Sequence, residues 1–325
     1  MPHSLSNVTI LVPGPIHPRV LARLRETFDL VRVERGDPAL VNAELRGKVR
    51  GIASLTRVDA AFIDAFPELE IIANFGVGYD AIDAKHAATR DVMVTNTPDV
   101  LTEEVADTAI GLLLSTLREM TKAENWLRDG NWVAKGPYPL TRGTLRGRTV
   151  GIIGLGRIGQ AIARRLEGFG VAIAYHNRNP VEGVSYPYHA TPVALAEAVD
   201  TVISVAPGGA ATAKMIDAAF LAALGPEGVF INIGRGSTVD EDALAKALAN
   251  GTIMAAGLDV FSAEPQVPQG LLDVPNATLF PHIGSASIYT RDGMADLCVD
   301  NLVSWFSGSG PVTPVAEAAS IRRKR

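Results

Sequence analysis

Three polar side chains far apart in the chain each follow a short apolar run. Ile231-Asn232-Ile233-Gly234 precedes Arg235, Leu258-Asp259-Val260-Phe261 runs toward Glu264, and Leu279-Phe280-Pro281 precedes His282. Taken singly, each has an ordinary reading as a solvated charge or a packed ring. Together they fit one reaction. Delivery of a hydride to a ketone develops negative charge on the keto oxygen, so a positioned acid must supply a proton as the hydride arrives. An imidazolium is the natural donor near neutral pH. A carboxylate on the far ring nitrogen orients that imidazole, which is the part assigned to Glu264. A guanidinium beside them, Arg235, can clamp a substrate carboxylate and polarise the keto oxygen. The expected site is metal-free.

A hydride needs a carrier, and the sequence offers a place for one. Gly154, Gly156 and Gly159 form G-L-G-R-I-G after an apolar run and ahead of a helical stretch, Arg157 to Leu166. In that setting the first glycine permits a tight turn, the second lets backbone approach a pyrophosphate, and the third lets the helix close on the sheet. The helix N-terminus then faces the anion. A chain that prefers NAD would place Asp or Glu about 20 residues further on, to accept from the ribose 2'-hydroxyl. Here the second apolar run ends in His176-Asn177-Arg178-Asn179, with no carboxylate. A 2'-phosphate would meet no like charge and could pair with Arg178. The expected cofactor is NADP(H), with NAD(H) used at lower efficiency; were Arg178 an ordinary surface arginine, both cofactors would bind similarly.

The elements that must position these groups read as α/β. Short Val- and Ile-rich runs alternate with segments of helical spacing, the pattern of βαβ units around a parallel sheet buried on both faces. The first series of expected strands is Thr9 to Val12, Leu30 to Val33, Gly51 to Leu55, Ile71 to Phe75 and Val92 to Thr95. The second is Thr149 to Ile153, Val171 to Tyr175, Thr201 to Val205, Val229 to Ile233, Ala255 to Val260 and Thr278 to Phe280. Between them, a long helix is expected to be capped by Thr102, with Glu103 and Glu104 at its positive end. Its stripe is Ala106, Ala109, Ile110, Leu113, Leu117 and Met120, and it is the candidate crossing between domains. Gly130 to Gly147 reads as a long loop.

The chain has 325 residues, beyond the roughly 250 to 300 at which one hydrophobic core stops growing, so two domains are expected. A composition 47% hydrophobic and 20% charged excludes the disordered and fibrous classes. With 30 basic against 35 acidic side chains the net charge is -5, which offers no positive field to a phosphate backbone, so no nucleic-acid partner is expected. No apolar run reaches membrane-spanning length and Met1 to Asn7 lacks a basic leader region, so a cytoplasmic protein with no membrane partner is expected. The lone Cys298 reads as buried filler, and the basic end Arg322 to Arg325 as a solvated terminus.

The assembled motifs G-L-G-R-I-G, I-N-I-G-R-G, G-L-D-V-F-S-A-E-P and P-H-I-G-S closely resemble those of the D-isomer-specific 2-hydroxyacid dehydrogenases, as do N-F-G-V-G-Y-D-A-I-D at Asn74 to Asp83 and N-T-P-D-V-L-T at Asn96 to Thr102. The resemblance runs from about Ile10 to Val315 and is nearest to the NADPH-dependent glyoxylate, hydroxypyruvate and hydroxyphenylpyruvate reductases. It implies two doubly wound domains. A Rossmann cofactor domain, residues 99–286, is inserted into a smaller flavodoxin-like substrate domain, residues 1–98 plus 287–325, with catalysis in the cleft between lobes. It implies that Arg235 binds substrate, that Glu264 partners the histidine and that His282 donates the proton. Cofactor contacts are implied at Gly154, Leu155, Gly156, Arg157, Ile158 and Gly159, at Asn177, Arg178 and Asn179, and at Ile233 and Asp259. Backbone N–H groups of Val77 and Gly78 are implied to hold the carboxylate of a small 2-keto acid, and the family usually forms homodimers.

One departure is plain: many relatives carry an acidic residue where this chain has His176-Asn177-Arg178, which puts NAD use in question. A nucleotide-sensing interaction protein of the same fold and an NAD-dependent phosphoglycerate-type dehydrogenase stay open as alternatives. Thr56, Arg57, Trp132, Tyr138 and Leu140 are candidates for the residues that choose among 2-keto acids. Trp132 lies where similar reductases reach toward a neighbouring subunit.

Overall fold

The computed structural model describes residues 5–323, which divide into two compact units. One comprises residues 5–101 with residues 287–323, the other Thr102–Ala286.

The first unit is built on five parallel strands: β1 (Thr9–Pro13), β2 (Asp29–Val33), β3 (Val49–Ser54), β4 (Ile71–Asn74) and β5 (Met93–Thr95). They lie in the order β2-β1-β3-β4-β5, a doubly wound arrangement of the flavodoxin type. Every residue of β1 and β4 is buried, as expected of strands covered on both faces, whereas the edge strand β2 is partly exposed. Helix Ile288–Phe306 covers one face, its start capped by Ser287, which accepts from the N–H of Thr290. A side chain at Gly51 would run into Ile10 and Leu302, so glycine lets this helix lie close to the sheet. Ion pairs from Arg19 and Arg23 on helix Pro18–Thr27 to Asp296 and Asp300 tie the two helices together.

Seven parallel strands form the second unit's sheet: β6 (Thr149–Ile153), β7 (Ala172–His176), β8 (Tyr188–His189), β9 (Thr201–Ser204), β10 (Val229–Asn232), β11 (Ala255–Leu258) and β12 (Ala277–Leu279). Their order is β12-β11-β10-β9-β6-β7-β8. The chain reverses direction across the sheet between β6 and β9, and such switch points open a crevice at the carboxyl ends of the strands. The core of this unit gathers Ile153, Leu195, Val202, Phe220, Phe230, Leu244 and Leu258.

Several expectations need correction. The second sheet has a seventh strand, because the two-residue β8 pairs with β7 through Tyr175 and His176. Helix Thr102–Arg118 includes Thr102 as its first residue and stops before Met120. Glu119 breaks it with φ +50°, and Met120 opens a new helix, Met120–Arg128, with its side chain exposed. The expected crossing helix therefore belongs wholly to the second unit, where it packs against helix Arg157–Glu167 and β11. The segment read as loop after Gly130 contains a further short helix, Asn131–Lys135. Of the basic end, Arg323 is bonded to Glu70 and to the carbonyl of Phe306 rather than solvated, while Lys324 and Arg325 lie outside the described residues.

Cys298 is buried. Among the described residues no helix is long and apolar enough to cross a membrane, and no group of three His, Cys, Asp or Glu side chains is arranged to hold a metal ion.

Candidate active site

The carboxyl ends of β6, β7, β10, β11 and β12 carry the residues singled out by their chemistry. After β6, Gly154 adopts φ +98°, and an added Cβ would lie 3.2 Å from the backbone of Val205 and Ala206 at the end of β9. A Cβ at Gly159 would fall 2.2 Å from the carbonyl oxygen of Gly154, so only glycine lets the helix start this close to the turn. Gly156 differs, since a Cβ there would meet nothing within 4 Å. It is the N-cap of helix Arg157–Glu167 and no side chain caps it, which leaves first-turn N–H groups for an anion. That combination fits a pyrophosphate.

Asn177, just past β7, accepts from the N–H of Leu155 at 2.6 Å, tying the residues after the second strand to the glycine turn. Arg178 and Asn179 beside it are exposed. The polar rim at this point has no carboxylate to repel a 2'-phosphate, so the residues present fit NADP(H).

The histidine and glutamate meet directly. His282 Nδ1 and Glu264 Oε2 are 2.8 Å apart, and the other carboxylate oxygen, Oε1, accepts from the N–H of Phe261 at 2.9 Å. Two constraints therefore fix the glutamate, and Nε2 is left as the ring nitrogen not engaged by it. His282 itself sits at φ +53°, a left-handed conformation unusual for a residue with a side chain. Asp259 holds it there. Its backbone carbonyl accepts from the N–H of His282 at 2.8 Å, and its two carboxylate oxygens accept from Ile283 and Gly284 at 2.7 and 2.8 Å. Only 1% of Asp259 is exposed, and burial pushes its carboxyl above the ordinary aspartate value while the two N–H groups pull it back. The side chain named above as a cofactor contact thus spends both oxygens on the turn that carries the histidine.

Arg235 stands on the neighbouring loop. Asn232, fully buried at the end of β10, donates to the carbonyl of Arg235 at 3.0 Å and accepts from the N–H of Gly234 at 3.1 Å, shaping the exit from the strand. Thr238 donates to the same carbonyl at 2.7 Å. A Cβ on Gly236 would lie 1.9 Å from the carbonyl carbon of Phe261, so the arginine loop and the glutamate loop touch backbone to backbone. Ile233 packs near Gly284. Neither Asn232 nor Gly236 was singled out from sequence, although a buried amide inside a Val- and Ile-rich strand is a signal that could have drawn attention to the first.

A model of the family "D-isomer specific 2-hydroxyacid dehydrogenase, NAD binding domain" matches residues 110–284. The chain belongs to the D-isomer-specific 2-hydroxyacid dehydrogenases. It is 41% identical over 314 residues to a glyoxylate/hydroxypyruvate reductase A of Arabidopsis thaliana, covering 96% of this chain and 100% of the relative. It is 46% identical over 313 residues to a hydroxyphenylpyruvate reductase of Plectranthus scutellarioides, covering 95% and 99%. Among solved structures, an NADPH-dependent glyoxylate/hydroxypyruvate reductase from Sinorhizobium meliloti, in complex with NADP and malonate, superposes with a TM-score of 0.96 at 61% identity, covering 98% of this chain and 100% of that one.

In this dehydrogenase Val77 and Gly78 belong to the first unit, on the loop after β4. Among the described residues their N–H groups donate to nothing, while the carbonyl of Val77 is held by Asn96. Of the residues suggested for substrate choice, Thr56 is tied to the carbonyl of Pro13 and Arg57 lies near Asp59. Tyr138 donates to Glu119 at 2.6 Å, and burial together with that bond pushes its phenol up to about 12. Trp132 and Leu140 are 60% and 100% exposed.

Proposed function

We propose that this dehydrogenase reduces small 2-keto acids such as glyoxylate and hydroxypyruvate to D-2-hydroxy acids with NADPH. The observation that carries the reading is the His282–Glu264 pair, presented at the same sheet edge as a glycine turn whose rim lacks a carboxylate. When bound, the reduced nicotinamide supplies the hydride. Gly154 to Gly159 and the first turn of helix Arg157–Glu167 hold the pyrophosphate, and Asn177, Arg178 and Asn179 receive the 2'-phosphate. His282 gives the proton at Nε2 to the keto oxygen, with Glu264 holding Nδ1 and so fixing the ring's direction. Arg235 draws the substrate through its carboxylate and keto oxygen. In the first unit, the N–H groups of Val77 and Gly78 receive the carboxylate. This balances as keto acid plus NADPH plus one proton giving hydroxy acid and NADP.

The same reading takes the protein as a homodimer. Met120, Leu127, Trp132, Val133 and Leu140, all in or beside the helices from Met120 to Lys135, are exposed apolar side chains that a second copy would cover.

The decisive experiment follows NADPH oxidation with glyoxylate and hydroxypyruvate. Replacement His282→Ala, or Glu264→Gln, should lower kcat by about 10²-fold or more while NADPH affinity stays within threefold, the scale usual for loss of a positioned proton donor. Tight NADPH binding without turnover of any 2-keto acid would instead make the protein a sensor.

A further inference from the structure

Val77 and Gly78 lie on a loop whose carbonyl groups are held from behind by buried or part-buried amides. Asn74, at the end of β4 and 4% exposed, donates through Nδ2 to the carbonyls of both Gly76 and Gly78, each at 2.9 Å. The N–H of Thr97 donates to the same Gly76 carbonyl at 3.0 Å. Asn96, just past β5, donates through Nδ2 to the carbonyl of Val77 at 2.8 Å. In a trans peptide the C=O of one residue and the N–H of the next point in opposite directions. Holding the Gly76 carbonyl therefore turns the Val77 N–H away from Asn74, and holding the Val77 carbonyl turns the Gly78 N–H away from Asn96. The loop is also tight, because a Cβ on Gly76 would lie 3.3 Å from Asn74 Nδ2 and 3.4 Å from the Gly78 carbonyl oxygen.

The hold on Asn96 comes from the far end of the chain. Asn301, fully buried in helix Ile288–Phe306, accepts from the N–H groups of Val312 and Thr313 at 3.0 and 2.9 Å and donates to Thr313 Oγ1 at 2.8 Å. Thr313 Oγ1 in turn donates to the carbonyl of Asn96 at 2.6 Å, and the N–H of Asn96 donates to the carbonyl of Thr313 at 3.3 Å. A continuous set of hydrogen bonds thus runs from Asn301 through Thr313 and Asn96 to the peptide that presents the Gly78 N–H.

We propose that Asn74 and Asn96 are positioning residues that fix the Val77 and Gly78 N–H groups in the direction needed to receive a carboxylate, with the 312–313 segment locking Asn96 in place. This rests on the reading that those two N–H groups hold the substrate carboxylate. Fixed donors avoid the reorganisation that a free loop would undergo on binding an anion. Neither asparagine touches the reacting atoms, so the effect belongs to KM rather than to kcat.

The test uses Asn96→Asp, which keeps the shape but replaces the donor by a charge facing the Val77 carbonyl, and Thr313→Val, which keeps the volume but removes the hydroxyl. In holoenzyme assays with NADPH, Asn96→Asp should raise the KM for glyoxylate and the Ki of malonate by about tenfold each, the scale of one hydrogen bond to a charged group, with kcat and the KM for NADPH within twofold. Thr313→Val should move the same two constants by about threefold, consistent with a loosened neutral hydrogen bond. A merely structural role would lower Tm and disturb both substrates alike. If Asn96→Asp does not accumulate as folded protein, Thr313→Val decides alone, and an unchanged glyoxylate KM there overturns the proposal. Val77→Pro, which deletes an N–H itself, separates the two claims. A raised KM in Val77→Pro beside an unchanged one in Asn96→Asp rejects the positioning role, whereas an unchanged KM in Val77→Pro rejects the carboxylate reading beneath it.

Discussion

Gly236 brings the loop that carries Arg235 against the loop that carries Glu264, the two loops on which the proposed chemistry depends. A methyl group there would stand 1.9 Å from the carbonyl carbon of Phe261, 2.2 Å from the nitrogen of Ser262 and 2.4 Å from the Cα of Phe261. All three are backbone atoms, so no side-chain rotation relieves the overlap. Reaching ordinary contact requires the loops to part by about 1.5 Å, given that carbon atoms sit comfortably at about 3.5 Å. One loop carries Arg235, and the other carries Glu264 through the Phe261 N–H bond and, through Glu264, orients His282. Overpacking of this kind destabilises by about 1–3 kcal/mol, and misplacing a catalytic group by about 1 Å lowers the rate on the order of 10²-fold. Gly236→Ala should therefore lower Tm and reduce kcat/KM for glyoxylate on that scale, with NADPH binding retained, because the turn at Gly154 to Gly159 is untouched. Gly156→Ala is the contrasting change. Its methyl meets no protein atom, so Tm should hold while the KM for NADPH rises. Fluorescence titration of NADPH, thermal melts and initial rates read all three quantities. A Gly236→Ala enzyme with kcat/KM within threefold of the parent would refute the reasoning.

Other outcomes follow from single contacts. Arg178→Ala should raise the KM for NADPH about tenfold or more and leave that for NADH unchanged, as expected on losing a charged partner of the 2'-phosphate; equal changes for both cofactors would speak against the assignment. The Arg19 hydrogen bond and charge hold the Asp296 carboxyl below its ordinary value, so its contribution to stability is present above the usual carboxylate range and is lost as pH falls through the lowered value. Asp296→Asn should accordingly lower Tm at pH 7 and flatten the acid limb of the Tm–pH curve, and parallel curves for parent and variant would contradict this. Burial pushes the Cys298 thiol up to about 12, so it should resist a thiol reagent in the native protein and react only in denaturant.

Much of this architecture was legible because buried parallel strands need continuous Val and Ile runs, and the turn at Gly154 needs glycines at fixed offsets. β8 escaped because two residues at a sheet edge, Tyr188 and His189, leave no hydrophobic run to read. Helix Asn131–Lys135 escaped because its exposed Trp132 and Val133 and its flanking glycines, Gly130 and Gly136, look like loop when no neighbour is known. Within the candidate site, reactive groups were visible by type, since few side chains move protons near neutral pH. Their supports were not. Asn232, Gly236, Asn74 and Asn96 act through backbone carbonyls and close approaches, and those depend on which loops the fold sets side by side. Asp259 was visible, but its carboxylate faces the histidine's own turn, a direction no residue spacing conveys.

The first unit is assembled from two stretches of chain separated by the whole of the second. During synthesis on a ribosome, β1 to β5 emerge early, yet helix Ile288–Phe306, which covers one face of their sheet, and Asn301, which fastens the 312–313 segment beside β5, emerge only after the whole second unit. The second unit is continuous and has every strand in hand by Leu279. The nascent polypeptide is thus expected to complete its second unit before its first and to carry an uncovered apolar sheet until helix Ile288–Phe306 has emerged, a window in which a chaperone would find its target.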